Sequence, residues 1–145
     1  MGGDFAPSSL HRKRISEGLH RNETDACHVM GILNITPDSF HEQSRKTSVE
    51  SAVQDGIKMW ELGATWIDVG GESTRPNADP VSIEEELNRV IPVIEALRRI
   101  DSKGLISIDP RRPQVAQAAL DAGADLVNDV SGLRDPEMVR VILES

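Results

Sequence analysis

The chain is poor in several things at once. Among its 145 residues it has one cysteine, no tyrosine, two phenylalanines and two tryptophans. A single cysteine excludes an internal disulfide and a cysteine-cluster zinc site. So few aromatics leave little on which nucleic-acid bases could stack. No apolar run nears the roughly 18 residues of a membrane-spanning helix. Basic residues are outnumbered 16 to 24, for a net charge of −8. The broad basic field of a duplex-binding protein is therefore missing, although a few local arginines can still hold a small anion. There is no P-loop, no GxSxG elbow and no GxGxxG fingerprint. What remains is 38% hydrophobic and 28% charged, the balance of one globular domain. The expectation is a cytoplasmic protein with neither nucleic-acid nor membrane partners.

Residues 1–27 differ from the rest. Gly2, Gly3, Pro7, Ser8 and Ser9 precede a basic patch of His11, Arg12, Lys13 and Arg14. No continuous apolar stretch follows that patch, so it does not read as a secretory signal. Ala6 stands where a myristoylation start wants Ser or Thr. Asp4, Glu17 and Glu23 argue against an organelle transit segment. The segment reads as a flexible leader ahead of a domain at 28–145. Cys27 has no assignable base and reads as a bystander.

From residue 28 strands and helices alternate. Short apolar runs at Val29–Ile35, Trp66–Val69, Leu105–Ile108 and Asp125–Val127 have the length and composition of buried parallel strands. After the first, Val49, Val53, Ile57, Met59, Trp60 and Leu62 recur at helical spacing and stop at Gly63. Ser82 with Glu85 forms a capping box ahead of a stripe of Ile83, Leu87, Val90, Ile91, Ile94 and Leu97. Val115, Ala116, Ala119 and Leu120 form a third stripe ending at Gly123. Pro136 opens a fourth helix, with Val139, Ile142 and Leu143 on one side. The run Glu84, Glu85, Glu86 reads as a solvated helix face. Repeated βα units give a parallel sheet, either an open doubly wound sheet or part of a (β/α)8 barrel. A barrel takes about 250 residues, and four units are half of it.

The polar, turn-rich segments all follow strands, so they should share the face where parallel α/β proteins bind ligands. Asn34 can form an Asx turn, or offer a neutral oxygen to Mg2+. Asp38 can be a turn acid. Thr74 and Arg75 follow Gly70-Gly71, which suits an anion. Taken alone, Arg75 reads equally well as a solvated surface residue. Asp109 and Asn128 end apolar strands, where an unmatched polar group is costly. A carboxylate and an amide together can read the edge of a heterocycle. His28 precedes the first strand, away from that face, and reads as structural.

The stretches Met30-Gly31-Ile32-Leu33-Asn34-Ile35-Thr36-Pro37-Asp38-Ser39-Phe40 and Ile67-Asp68-Val69-Gly70-Gly71-Glu72-Ser73-Thr74-Arg75-Pro76 are long and specific. With Ile106-Ser107-Ile108-Asp109 and Asn128-Asp129-Val130-Ser131-Gly132 they closely resemble dihydropteroate synthase, a pterin-binding family of folate biosynthesis. The resemblance runs from about His28 onward and implies α/β architecture, the N-terminal half of a TIM (β/α)8 barrel. It implies an enzyme that condenses 6-hydroxymethyl-7,8-dihydropterin diphosphate with p-aminobenzoate and releases pyrophosphate, and that sulfonamides target. By the same resemblance Asn34 would bind the Mg2+ cofactor, and Thr74 and Arg75 would lie near the diphosphate. Asp109 and Asn128 would hydrogen-bond the pterin, and Phe40 and Pro76 would line the p-aminobenzoate pocket. The arylamine is itself the nucleophile, so no residue is assigned as a catalytic nucleophile.

Departures are local and global. His41-Glu42-Gln43-Ser44 replaces a Ser-Asp-Gly-Gly-like turn, and Pro110 replaces the Thr or Ser that usually follows the third-strand aspartate. The family's later aspartate, lysine and arginine–histidine pair have no counterpart here. The expectation is therefore a homodimer, pairing with a complementary half-barrel, aggregation, or a fragment of a longer protein. A methyltetrahydrofolate-dependent methyltransferase-like domain and a non-catalytic pterin-binding or scaffold protein are the alternative functions.

Overall fold

A computed structural model of the chain describes residues 15–16, 27–35, 45–72, 80–101 and 104–145. Strands and helices alternate as β1 (Met30–Asn34), α1 (Arg45–Glu61), β2 (Trp66–Gly70), α2 (Ile83–Ile100), β3 (Leu105–Asp109), α3 (Pro113–Ala122), β4 (Leu126–Val127) and α4 (Pro136–Glu144). The strands are parallel and ordered β1-β2-β3-β4. A doubly wound sheet reverses its strand order at a switch point. Here the order follows the chain, as it does around a barrel.

Helix ends follow local chemistry. Ser82 caps α2 by accepting from the Glu85 N–H at 3.1 Å. Asp135 caps α4 through the Glu137 N–H at 2.9 Å, with Pro136 in the first turn. Gly123 ends α3 at φ 114°, a left-handed conformation that side chains disfavour. Pro110 is fully buried, and α3 opens at Pro113 without a side-chain cap.

The core lies on one side of the sheet. Leu33, Ile35, Ile67, Val69, Ile106 and Ile108 pack against Val53, Val90, Val93, Ile94, Leu97, Val115 and Ala119. Each large aliphatic side chain buried there contributes roughly 1.5–3 kcal/mol. Ala116, Met138 and Val141 join α3 to α4.

Some expected core positions are exposed. Leu62 follows the end of α1 and is 80% exposed, and Ile83 sits at the first position of α2, 38% exposed. In α4 the buried face is Met138 and Val141, while Ile142 and Leu143 are exposed. The contact with Ala116 sets that rotation.

At the N-terminal end of the sheet Arg98 ties several segments together. Its Nε and Nη2 donate to the Gly123 carbonyl at 3.0 and 2.7 Å, and Nη1 donates to the Gly104 carbonyl at 2.8 Å. Nη2 also pairs with the Asp125 carboxylate, which accepts from the Ile106 N–H at 3.0 Å. His28 lies at this same end, within 3.3 Å of the Thr65 hydroxyl. It stands apart from the strand ends that carry the candidate site.

Candidate functional site

In a parallel sheet, residues in register share a face. One row on the face opposite the core is Ile32, Asp68, Ser107 and Leu126, and the next is Asn34, Gly70 and Asp109. Ile32 is 63% exposed and Leu126 is 36% exposed, whereas Leu33, Ile67, Val69, Ile106 and Ile108, which face the helices, are buried. Asn128 follows β4, anchored by its N–H to the Ile108 carbonyl at 2.8 Å.

This face gathers polar groups. Asn128 Nδ2 donates to Asp68 Oδ2 at 2.9 Å. Asp68 Oδ1, Ser107 Oγ and Asp109 Oδ1 are buried with no hydrogen-bond partner among the described residues. Such groups are costly unless something satisfies them. Burial pushes the Asp109 carboxyl up to about 6, and the nearby Asp68 adds to the rise while Arg111 opposes it. A carboxylate displaced in this way marks a candidate site.

Asn34 stands at the rim. A Cβ on Gly70 would lie 3.3 Å from Asn34 Oδ1 and 4.0 Å from Asp109 Cβ. The glycine thus leaves room between the two. Among the described residues no group of three or more His, Cys, Asp or Glu could hold a metal ion. Mg2+ commonly takes few protein oxygens and completes its shell with phosphate and water. One amide oxygen beside an open glycine fits that habit.

Asp109, Asn128 and Asn34 are therefore brought to one face. Phe40, Thr74, Arg75 and Pro76 lie outside the described residues, as does Asp38. Asp68 and Ser107 were not singled out from sequence. Their signal is alternation, since each lies two residues before a rim residue on the same strand.

A charged network flanks the rim. Glu86 is fully buried, so the solvated reading of that helix face is corrected at this position. It accepts from the Arg111 N–H at 3.1 Å and from Arg112 Nη1 at 3.0 Å. Desolvation raises its pKa, against the pull of Arg111 and Arg112. Arg112 also donates to the Val81 carbonyl at 2.7 Å, and Arg89 to the Gly71 carbonyl at 2.8 Å. Glu72 contacts Arg111 and Arg112 at 3.3 and 3.4 Å. These arginines are held by the protein's own acids and carbonyls.

The sequence model of the family described as pterin binding enzyme matches residues 30–145. The chain is 48% identical over 117 residues to the dihydropteroate synthase of Haemophilus influenzae, covering 80% of this chain and 42% of that one. It is 54% identical over 116 residues to a probable bifunctional folylpolyglutamate synthase/dihydropteroate synthase of Halobacterium salinarum, covering 80% of this chain and 14% of the other. The Xanthomonas albilineans dihydropteroate synthase with 4-aminobenzoic acid superposes with a TM-score of 0.73 at 48% identity, over 81% of this chain and 44% of that one. The Burkholderia cenocepacia enzyme complexed with 7,8-dihydropteroate gives 0.69 at 44% identity, over 81% and 38%. The chain spans less than half the length of each of these relatives.

Proposed function

This chain belongs to the pterin binding enzyme family, and we propose that it supplies the pterin and diphosphate part of a dihydropteroate synthase site. The observation that carries the reading is the set of buried acceptors on the open face, Asp109 Oδ1 and Asp68 Oδ1 beside the Asn128 amide. A pterin edge offers ring N–H and amino donors, the complement of such acceptors. In the proposed reaction the methylene carbon of 6-hydroxymethyl-7,8-dihydropterin diphosphate loses its bond to the diphosphate oxygen. It gains one to the nitrogen of p-aminobenzoate, which then gives up a proton.

The residues of this chain would bind and orient. Asp109 would accept from the pterin, and its charge would favour electron release toward the departing group. Asn34, beside the space above Gly70, would hold Mg2+ with the diphosphate. Bound there, the ion would offset the charge developing on pyrophosphate. Thr74 and Arg75 would act on the diphosphate, and Phe40 and Pro76 on p-aminobenzoate. The exposed Ile32, Met30 and Leu126 favour cover by a second half-barrel, whether from the same polypeptide, another copy or a complementary chain. Light scattering of the purified chain should then show a species larger than a monomer.

The direct test is calorimetric titration of the chain with pterin diphosphate and Mg2+. Measurable binding that Asp109→Ala weakens by about tenfold or more is expected. Equal binding by parent and variant, or none by the parent, would remove the reading.

A further inference from the structure

That reading uses Asp68 Oδ1 and gives no task to its second oxygen, Oδ2. Asp68 lies one row in from the rim, and it is only 5% exposed. A carboxylate placed there is unfavourable unless its oxygens are used. Its Oδ2 accepts from Asn128 Nδ2 at 2.9 Å. Carboxylate oxygens only accept, whereas a primary amide has a donor end and an acceptor end. The partner therefore selects which end of Asn128 turns toward it. The amide nitrogen faces Asp68, and the amide oxygen is left to face away. The backbone of Asn128 is pinned at the same time by its N–H on the Ile108 carbonyl, so the side chain turns about a fixed pivot. The neighbouring Asp109 Oδ1 is another acceptor without a partner.

We propose that Asp68 is a positioning residue that locks the Asn128 amide with its oxygen outward, so that the open face selects ligands whose edge carries N–H donors. The choice of ligand rests on the pterin reading above, while the locking of the amide does not. An amide free to flip could match either a donor or an acceptor. Selectivity would then weaken even if the fold were intact.

Two arms separate these claims. In the first, the side-chain amide of Asn128 is followed by nitrogen-15 NMR in the 145-residue chain and assigned with Asn128→Asp. One of its protons should exchange slowly in the parent and rapidly in Asp68→Ala. Unchanged exchange in a folded Asp68→Ala overturns the proposal. In the second arm the chain is titrated with pterin and with lumazine, which carries an oxo group in place of the 2-amino group. The parent should prefer pterin by about tenfold, as expected for one mismatched hydrogen bond. Asp68→Ala should bring the ratio toward one. Asp68→Asn keeps an acceptor but adds a donor, so it should fall between them. If Asp68→Ala does not fold, Asp68→Asn decides, and an undiminished pterin preference in it overturns the proposal. If neither probe binds the parent, the pterin reading fails and the NMR arm still judges the lock.

Discussion

The two ends of the sheet treat a buried carboxylate in opposite ways. At the N-terminal end Asp125 meets the Arg98 guanidinium and the Ile106 N–H, and Arg98 also donates to the carbonyls of Asp101, Gly104 and Gly123. On the open face toward the other end, Asp68 and Asp109 each keep a buried oxygen without a partner among the described residues, and no described arginine is bonded to either. The first arrangement closes on itself and can only hold structure together. The second is an array of acceptors that the protein does not complete, which is what a donor-bearing ligand needs. The difference marks the open face as the candidate site without reference to any motif.

The contrast is broken most severely at the closed end. Arg98→Ala would leave Asp125 buried without its cation and strip donors from three carbonyls. Removing one partner of a buried pair typically loses roughly 3–5 kcal/mol. Urea unfolding should show a loss of that order, and a change below about 1 kcal/mol would mean that the network is not structural.

At the open end the sign reverses. The folded Asp109 value of about 6 lies above the ordinary 3.8. The folded chain therefore holds this proton more tightly than the unfolded chain does. Its stabilising contribution is complete below about pH 4 and is lost as pH rises through 6. Asp109→Asn removes the charge that burial disfavours. The variant should be more stable than the parent at pH 8, by roughly 1–2 kcal/mol once partial exposure is allowed for, with little gain near pH 4. It should also bind pterin diphosphate less well. Thermal melts at the two pH values check this, and an equal or lower Tm at pH 8 would show that Asp109 is not strained by its surroundings.

Much of this layout is legible along the chain. The four strands stand out as short apolar runs between turn residues, and Ser82, Pro136 and Gly123 mark helix ends by local chemistry. Asp109 and Asn128 are visible because they interrupt apolar strands at their ends. Asp68 is harder to see because it lies inside a strand, where only the alternation of faces reveals it. Glu86 hides behind two exposed glutamates, Glu84 and Glu85, yet it is in phase with Val90, Val93 and Leu97 on the buried stripe. Arg98 and Asp125 are 27 residues apart, and no local pattern links them. Their pairing is a product of packing. The outward faces of Ile142 and Leu143 are likewise decided by α3, which no window confined to α4 contains.

The smallest expected effect compares one glycine from each end. Gly123 has φ 114°, and a Cβ there would lie 3.0 Å from Arg98 Cγ. Gly123→Ala should therefore strain the backbone and disturb the closed network, at about 1–2 kcal/mol of stability. Gly70 is not among the positive-φ residues, and the nearest atom to its would-be Cβ is the Asn34 amide oxygen at 3.3 Å. Asn34 is exposed and can swing aside. Gly70→Ala should thus change stability by less than about 0.5 kcal/mol. Its methyl would nevertheless fill the room between Asn34 and Asp109 and move the oxygen assigned to Mg2+. Binding of pterin diphosphate should fall by about tenfold in the presence of Mg2+, and by less without it. Parallel urea melts and titrations of the two variants measure both quantities. Full ligand affinity in Gly70→Ala would show that the space beside Asn34 serves neither the ion nor the diphosphate, and the open end would then rest on Asp68, Asp109 and Asn128 alone.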